Sequence, residues 1–238
     1  MHSAPRRRLL SSLAAQQRPP PRPTGSCLTG VRCPRCASAP LLAAAATVRT
    51  VCAVCRGPLL AEYDLARARA TMSKARLAAR PPDMWRYSEL LPVQDARNVV
   101  SLGEGMTPLL PLPALGARLG LRGLLLKDEG VGNPTATFKA RGASAGVSRA
   151  RELGVTDIAM PTNGNAGGAW AAYCARAGLR LHLAMPDDAP PLSVLEAAAV
   201  GASAFYVGPG GLISDAGAIV AKGAAEHGWF EASTLKEP

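Results

Sequence analysis

Two sets of residues in this chain have the types and spacing for chemistry, and the first centres on a lysine. Lys139 closes a turn that reads Lys127-Asp128-Glu129-Gly130-Val131-Gly132-Asn133-Pro134-Thr135-Ala136-Thr137-Phe138-Lys139-Ala140-Arg141-Gly142. Gly and Asn-Pro shape a tight loop, Thr137 is placed to cap a following helix, and Lys139 then falls in its first turn beside Phe138. A helix N-terminus carries about half a positive charge and repels an ammonium. The neutral amine is the form that attacks an aldehyde to make a Schiff base. Arg greatly outnumbers Lys here, the lysines being Lys74, Lys127, Lys139, Lys222 and Lys236. A position needing only charge would more often hold Arg, which cannot form an imine. The other reading is a surface lysine that happens to begin a helix.

A second turn, Pro161-Thr162-Asn163-Gly164-Asn165-Ala166-Gly167-Gly168, follows an apolar run and opens a helical one. Exposed backbone N–H groups at such a turn form a seat for a carboxylate or phosphate. Asn163 and Asn165 add amide donors, although a glycine-rich capping turn without a ligand reads the same way. A third glycine turn, Gly208 to Gly211, has only Ser214 as a polar neighbour.

The second set is made of cysteines. Cys33-Pro-Arg-Cys36 and Cys52-Ala-Val-Cys55 are C-x2-C pairs separated by 15 residues, a spacing of four-cysteine zinc sites. Two such knuckles complete a tetrahedron around Zn2+ with no open position, which makes the role structural. Two disulfides, or four unrelated thiols, are the alternatives. Cys27 lies near enough to compete, but its offset from Cys33 fits no knuckle. Cys174, in an Ala-rich run, is a small core residue.

The elements that position these turns alternate. The chain has 238 residues, 48% of them hydrophobic but only 4% aromatic, so the core is built from Ala, Leu and Val. Short strands are expected at 124–126, 158–160, 181–185 and 204–207, and helices at 138–153, 166–177, 193–200 and 214–227. The helices end at Gly154, Gly178, Gly201 and Gly228, the residue that takes a left-handed C′ position without strain. Strand–helix alternation of this kind means an α/β fold with an open parallel sheet and flanking helices. Ligands then bind beyond the carboxyl ends of the strands, where both turns lie.

The net charge of +10 belongs mostly to the first two dozen residues, which hold Arg6, Arg7, Arg8, Arg18 and Arg22 and no acid. That distribution argues against a nucleic-acid partner. Only Arg49 is basic between the cysteine pairs, and no aromatic lies there to stack a base. No apolar stretch is long enough to span a membrane. The expected organisation is a basic tail over 1–26, a zinc ribbon over 27–64 and an Arg-rich linker over 65–100, partly helical and broken by Pro81 and Pro82. An enzyme domain over 101–238 follows, with a small subdomain at 141–226. The tail reads as disordered, with a transit peptide as the alternative; otherwise the location is cytoplasmic.

Several segments resemble the threonine synthase family of fold-type II enzymes dependent on pyridoxal 5′-phosphate (PLP). Ser101-Leu102-Gly103-Glu104-Gly105-Met106-Thr107-Pro108-Leu109 is similar to the family's opening motif, Asn133 to Gly142 to its lysine motif, and Pro161 to Gly168 to its asparagine loop. Glu231 to Pro238 is similar to a segment of threonine synthases, and the cysteine ribbon fits one branch of them. The resemblance implies that Lys139 is the catalytic residue and holds PLP, and that Asn165 bonds the cofactor's 3-hydroxyl. It further implies that Thr162, Asn163, Gly164 and Ala166 seat the carboxylate of a small amino-acid substrate, largely through backbone N–H groups. Cys33, Cys36, Cys52 and Cys55 would hold structural Zn2+. The implied reaction turns O-phospho-L-homoserine and water into L-threonine and phosphate, with the released lysine amine shuttling protons. A serine/threonine dehydratase, a β-replacement enzyme and a non-catalytic remnant of the fold are the alternatives. Ala136-Thr137 departs from the family's Gly-Ser, with methyl groups expected to crowd the cofactor. The family's phosphate-cradling loop and pyridine-nitrogen contact would come after Pro238, so the isolated chain is expected to bind PLP weakly and turn over little. A homodimer is the expected state of a longer form.

Overall fold

The computed structural model describes residues 25–36, 42–43, 49–233 and 236. The basic tail of the sequence reading therefore lies outside the described residues except for Gly25 and Ser26. So do Thr234, Leu235, Glu237 and Pro238.

The front of the chain is a three-stranded antiparallel sheet of β1 (Leu28–Arg32), β2 (Leu42–Ala43) and β3 (Leu60–Tyr63), in the order β2-β1-β3. Two short helices follow, α1 (Leu65–Thr71) and α2 (Lys74–Ala78), capped by the side chains of Asp64 and Ser73. Beyond Pro81 and Pro82 the connector tightens into 3₁₀ turns at Met84–Leu90 and Ala96–Asn98. It is tied down from both sides. Arg80 grips the buried Glu89 through both guanidinium nitrogens at 2.6 and 2.8 Å, and the carboxylate of Glu152 accepts the amides of Gln94 and Asp95.

Strands β4 (Leu109–Pro111) and β5 (Leu125–Lys127) pair antiparallel around helix α3 (Pro113–Leu119). The connection holds only that helix and its flanking turns.

The main body is the α/β layer the alternation implied. Helix α4 (Lys139–Glu152) leads into β6 (Asp157–Pro161), α5 (Asn165–Ala177), β7 (Arg180–Met185), α6 (Pro191–Ala199), β8 (Ser203–Tyr206), α7 (Ile213–His227) and β9 (Phe230–Glu231). The sheet is entirely parallel, in the order β8-β7-β6-β9. Side chains alternate across it. Ile158, Met160, Leu181, Leu183 and Met185 pack with α4, α5 and α6, while Ala159 and Ala184 face α7 through Ala216 and Val220. Gly154, Gly178, Gly201 and Gly228 all take left-handed φ, between 70° and 89°, at or just past the helix ends. Cys174 is a buried core residue, as its setting implied, and burial pushes its thiol up to about 12. Among the described residues, no helix is long and apolar enough to cross a membrane.

Helices α4 and α5 approach closely because Gly146 offers no side chain: a Cβ there would stand 2.6 Å from the Trp170 ring. Beneath this contact lies a fully buried carboxylate. Glu104 accepts from Leu102 N (3.0 Å), Trp85 Nε1 (3.1 Å), Ser144 Oγ (2.6 Å) and the Tyr173 hydroxyl (2.5 Å). Burial and the hydrogen bond to Glu104 push the Tyr173 phenol well above its ordinary range. One side chain thus ties the connector (Trp85), α4 (Ser144) and α5 (Tyr173) together.

Candidate functional site

The sheet brings the two suspect turns to one place. A cleft of about 790 Å³ is lined by Lys139, Thr162, Asn163, Gly164, Asn165 and Ala166, together with Met160, Pro161, Pro190, Ser193, Ile213, Ser233 and Lys236. Every candidate of the lysine turn and the asparagine loop therefore faces the same space. The cleft opens where helices start. Lys139, Asn165 and Ile213 are the first residues of α4, α5 and α7, and Ser193 lies in the first turn of α6. The starts of four helices border the cleft, and a helix N-terminus carries about half a positive charge. Among the described residues, no Asp or Glu lines it. The whole arrangement favours anions.

Lys139 is half-buried, and its Nζ stands 4.8 Å from the centre of the Phe138 ring, itself 56% exposed. The helix cap differs from the sequence reading. Phe138 is the capping residue, in helical conformation, and Thr137 Oγ1 accepts from Lys139 N only at a long 3.5 Å. One residue before Thr137, Ala136 turns the chain with φ of +51°. Neither Ala136 nor Thr137 lines the cleft. The methyl groups expected to crowd a cofactor therefore do not border this cavity.

The lysine turn is held from behind by Glu129. Its carboxylate accepts from Arg141 Nε (2.8 Å) and Nη2 (3.0 Å), Thr107 Oγ1 (2.6 Å) and Asn133 Nδ2 (3.0 Å). Arg141, then Thr107, draw the Glu129 carboxyl down to about 2. The opening motif (Thr107), the loop (Asn133) and α4 (Arg141) are so joined across the base of the turn.

In the asparagine loop, Thr162 Oγ1 accepts from Gly164 N at 3.2 Å and Gly167 N at 3.1 Å. The hydroxyl is thus spent on shaping the loop, and so is the Gly164 amide. Asn165 and Ala166 head the helix, where amides have no intrahelical acceptor, and the Asn163 and Asn165 side chains are exposed. Gly167 allows the tight fit, since a Cβ there would meet Thr162 Cγ2 at 2.7 Å. Ser193, Ile213 and Lys236 were missed as site residues in the sequence. Nothing local marks them, although Lys236 falls in the segment that resembles threonine synthases.

The four expected cysteines also converge. The sulfurs of Cys33, Cys36, Cys52 and Cys55 all lie within 4.8 Å of one another. Cys27 is buried elsewhere, its backbone bonded to Glu89 and Asp64, and is not part of the group. Backbone hydrogen bonds from Cys55 and Val54 bring the Cys52 thiol down to about 7, while its bond to Cys55 pushes Cys36 up to about 12. Four soft donors this close fit a tetrahedral ion at about 2.3 Å per sulfur.

The family model for pyridoxal-phosphate dependent enzymes matches residues 100–238. The chain belongs to that family. Among curated relatives, the threonine synthase of Methanocaldococcus jannaschii is 40% identical over 141 residues, covering 59% of this chain and 35% of the relative. That of Synechocystis is 44% identical over 103 residues, or 42% of this chain and 26% of the relative. The chain spans about a third of the length of the curated relatives it matches. Among solved structures, Escherichia coli diaminopropionate ammonia lyase in its apo form aligns with a TM-score of 0.52 at 20% identity, over 58% of this chain and 42% of that one. That likeness speaks to fold.

The residues present fit the family's cofactor. A half-buried amine, exposed amide side chains and bordering helix N-termini suit an aldehyde that carries anionic groups.

Proposed function

We propose that this chain carries the amine-bearing half of the active site of a threonine synthase-like lyase, which converts O-phospho-L-homoserine and water to L-threonine and phosphate. The observation behind this reading is the cleft itself: Lys139 set among the starts of four helices, with no Asp or Glu among the described lining residues. Substrate and cofactor both carry carboxylate or phosphate groups, and each is favoured by such a field.

PLP, when bound, supplies the electron sink that lets protons leave the substrate's carbon atoms. The protein supplies the rest. Lys139 Nζ would hold the cofactor, and the same amine is placed to serve as the base and acid that moves protons at those carbons. The amides of Asn163, Asn165 and Ala166 receive the substrate carboxylate. Thr162 fixes the loop that presents them, and the Asn165 amide group orients the cofactor ring. The fixed geometry holds the reacting carbons within reach of one amine. The cysteine group binds zinc as a structural clamp on the front sheet.

The test uses competition among the five lysines. The chain is incubated with excess PLP, reduced with borohydride and digested, and the label is located by mass spectrometry. Lys139 is expected to carry most of it, and Lys139→Ala to abolish the preference without shifting label to a neighbour. Label spread evenly over Lys74, Lys127, Lys139, Lys222 and Lys236 would falsify the reading. Phosphate release from O-phospho-L-homoserine by a longer form then separates a synthase from a dehydratase.

A further inference from the structure

The cleft has a second cation, and the proposed mechanism gives it no task. Lys236 lines the same cavity as Lys139 but comes from the far end of the chain. Its backbone N–H donates to Ser233 O at 3.0 Å. Its ammonium pairs with the carboxylate of Glu231, the last residue of β9. Glu231 does not line the cleft; it borders a different hollow, beside Asp157, Trp229 and Phe230. The pair therefore straddles the strand edge, with its cation on the cleft side and its anion behind.

We propose that Lys236 is a specificity-determining residue, and that its ammonium receives the phosphate monoester at the far end of the amino-acid substrate. This deepens the function proposed above and rests on it. The Lys236 side chain is 36% exposed and that of Glu231 16%, so water reaches the ammonium end of the pair and screens it. A dianionic phosphate with three acceptor oxygens can compete with the single carboxylate for that ammonium. Lysine suits the task, because its long stem moves a compact charge. The geometry also divides the substrate. Its amino-acid end belongs at Lys139 and the asparagine loop, which leaves Lys236, on another element, for the leaving group.

Phosphate monoesters come from two sources here, substrate and cofactor, and the arms of the test separate them. Equilibrium dialysis of the full chain measures O-phospho-L-homoserine against L-homoserine for the native protein, Lys236→Met, Lys236→Arg and Glu231→Gln. PLP labelling of Lys139 is followed in parallel. The phosphorylated ligand is expected to bind at least tenfold more tightly than homoserine to the native chain. Lys236→Met should remove most of that ratio, leaving homoserine binding and Lys139 labelling unchanged. Lys236→Arg should restore it in part, and Glu231→Gln, which frees the ammonium, should raise it. An unchanged ratio in Lys236→Met overturns the proposal, as does no preference in the native chain. Loss of Lys139 labelling alone overturns it too, since the seat would then be the cofactor's. Failure of the lysine-competition experiment, by contrast, strikes the function and not this residue, because the dialysis needs no PLP.

Discussion

Ala136→Gly should stabilise the protein, although glycine is usually the more costly residue in a folded chain. Ala136 sits at φ +51° three residues before Lys139. A side chain in that left-handed region costs about 1–2 kcal/mol, from its Cβ against the following carbonyl. Glycine removes the cost but returns about 0.4–1 kcal/mol through the greater freedom of the unfolded chain. The Ala136 methyl is exposed, so little packing is lost. The turn's hydrogen bond from Ala136 N to Asn133 O at 3.0 Å is open to either residue. The balance is a gain of about 0.5–1 kcal/mol. For a chain of this size that corresponds to a rise in melting temperature of about 1–4 °C. Urea unfolding should show a later midpoint with an unchanged slope. A midpoint that stays put or falls would mean that the turn is unstrained, and that Ala136 is held by something other than the conformation described. The result also bears on the family resemblance, in which glycine is usual at this position.

Three further outcomes follow from other parts of the structure. Cys52→Ser removes one of four converging sulfurs; zinc content measured by atomic absorption should fall, and proteolysis should open the front sheet around residues 49–63 before the α/β layer. Glu129, whose folded-state carboxyl lies at about 2, lends stability above its unfolded value near 4.5 that is lost as pH falls toward 2. Glu129→Gln should flatten the stability profile across that window, measured by thermal melts from pH 6 to 2.5. Gly167→Ala pushes a methyl against Thr162 and Leu183, and should cost about 1–3 kcal/mol in chemical denaturation while weakening carboxylate binding at the asparagine loop.

Much of the α/β layer was legible because its signals are local. Short, mostly apolar runs of three to five residues give the strands, and a glycine after each helix of the layer needs no partner to be recognised. The cysteine pairs were equally plain, since knuckle spacing is set within a few residues. What escaped is long-range. Glu104 is flanked by Gly103 and Gly105 and reads as a loop carboxylate, yet it is fully buried among Trp85, Ser144 and Tyr173. No pattern within the opening motif announces partners up to 69 residues away. Ser193 and Lys236 reach the cleft for the same reason: the order of strands decides which helix starts share a rim. The cap at Thr137 failed on a smaller scale, one residue after a left-handed turn.

The buried carboxylate has a mechanical consequence. Because Glu104 fastens α4 through Ser144 and α5 through Tyr173, and Gly146 lets the two helices interlock, the lysine and the asparagine loop are mounted on one rigid bracket. Widening the mouth of the cavity cannot part those two without unseating a buried charge, which is steep. The rest of the lining, from the starts of α6 and α7, has no such fastening to Glu104.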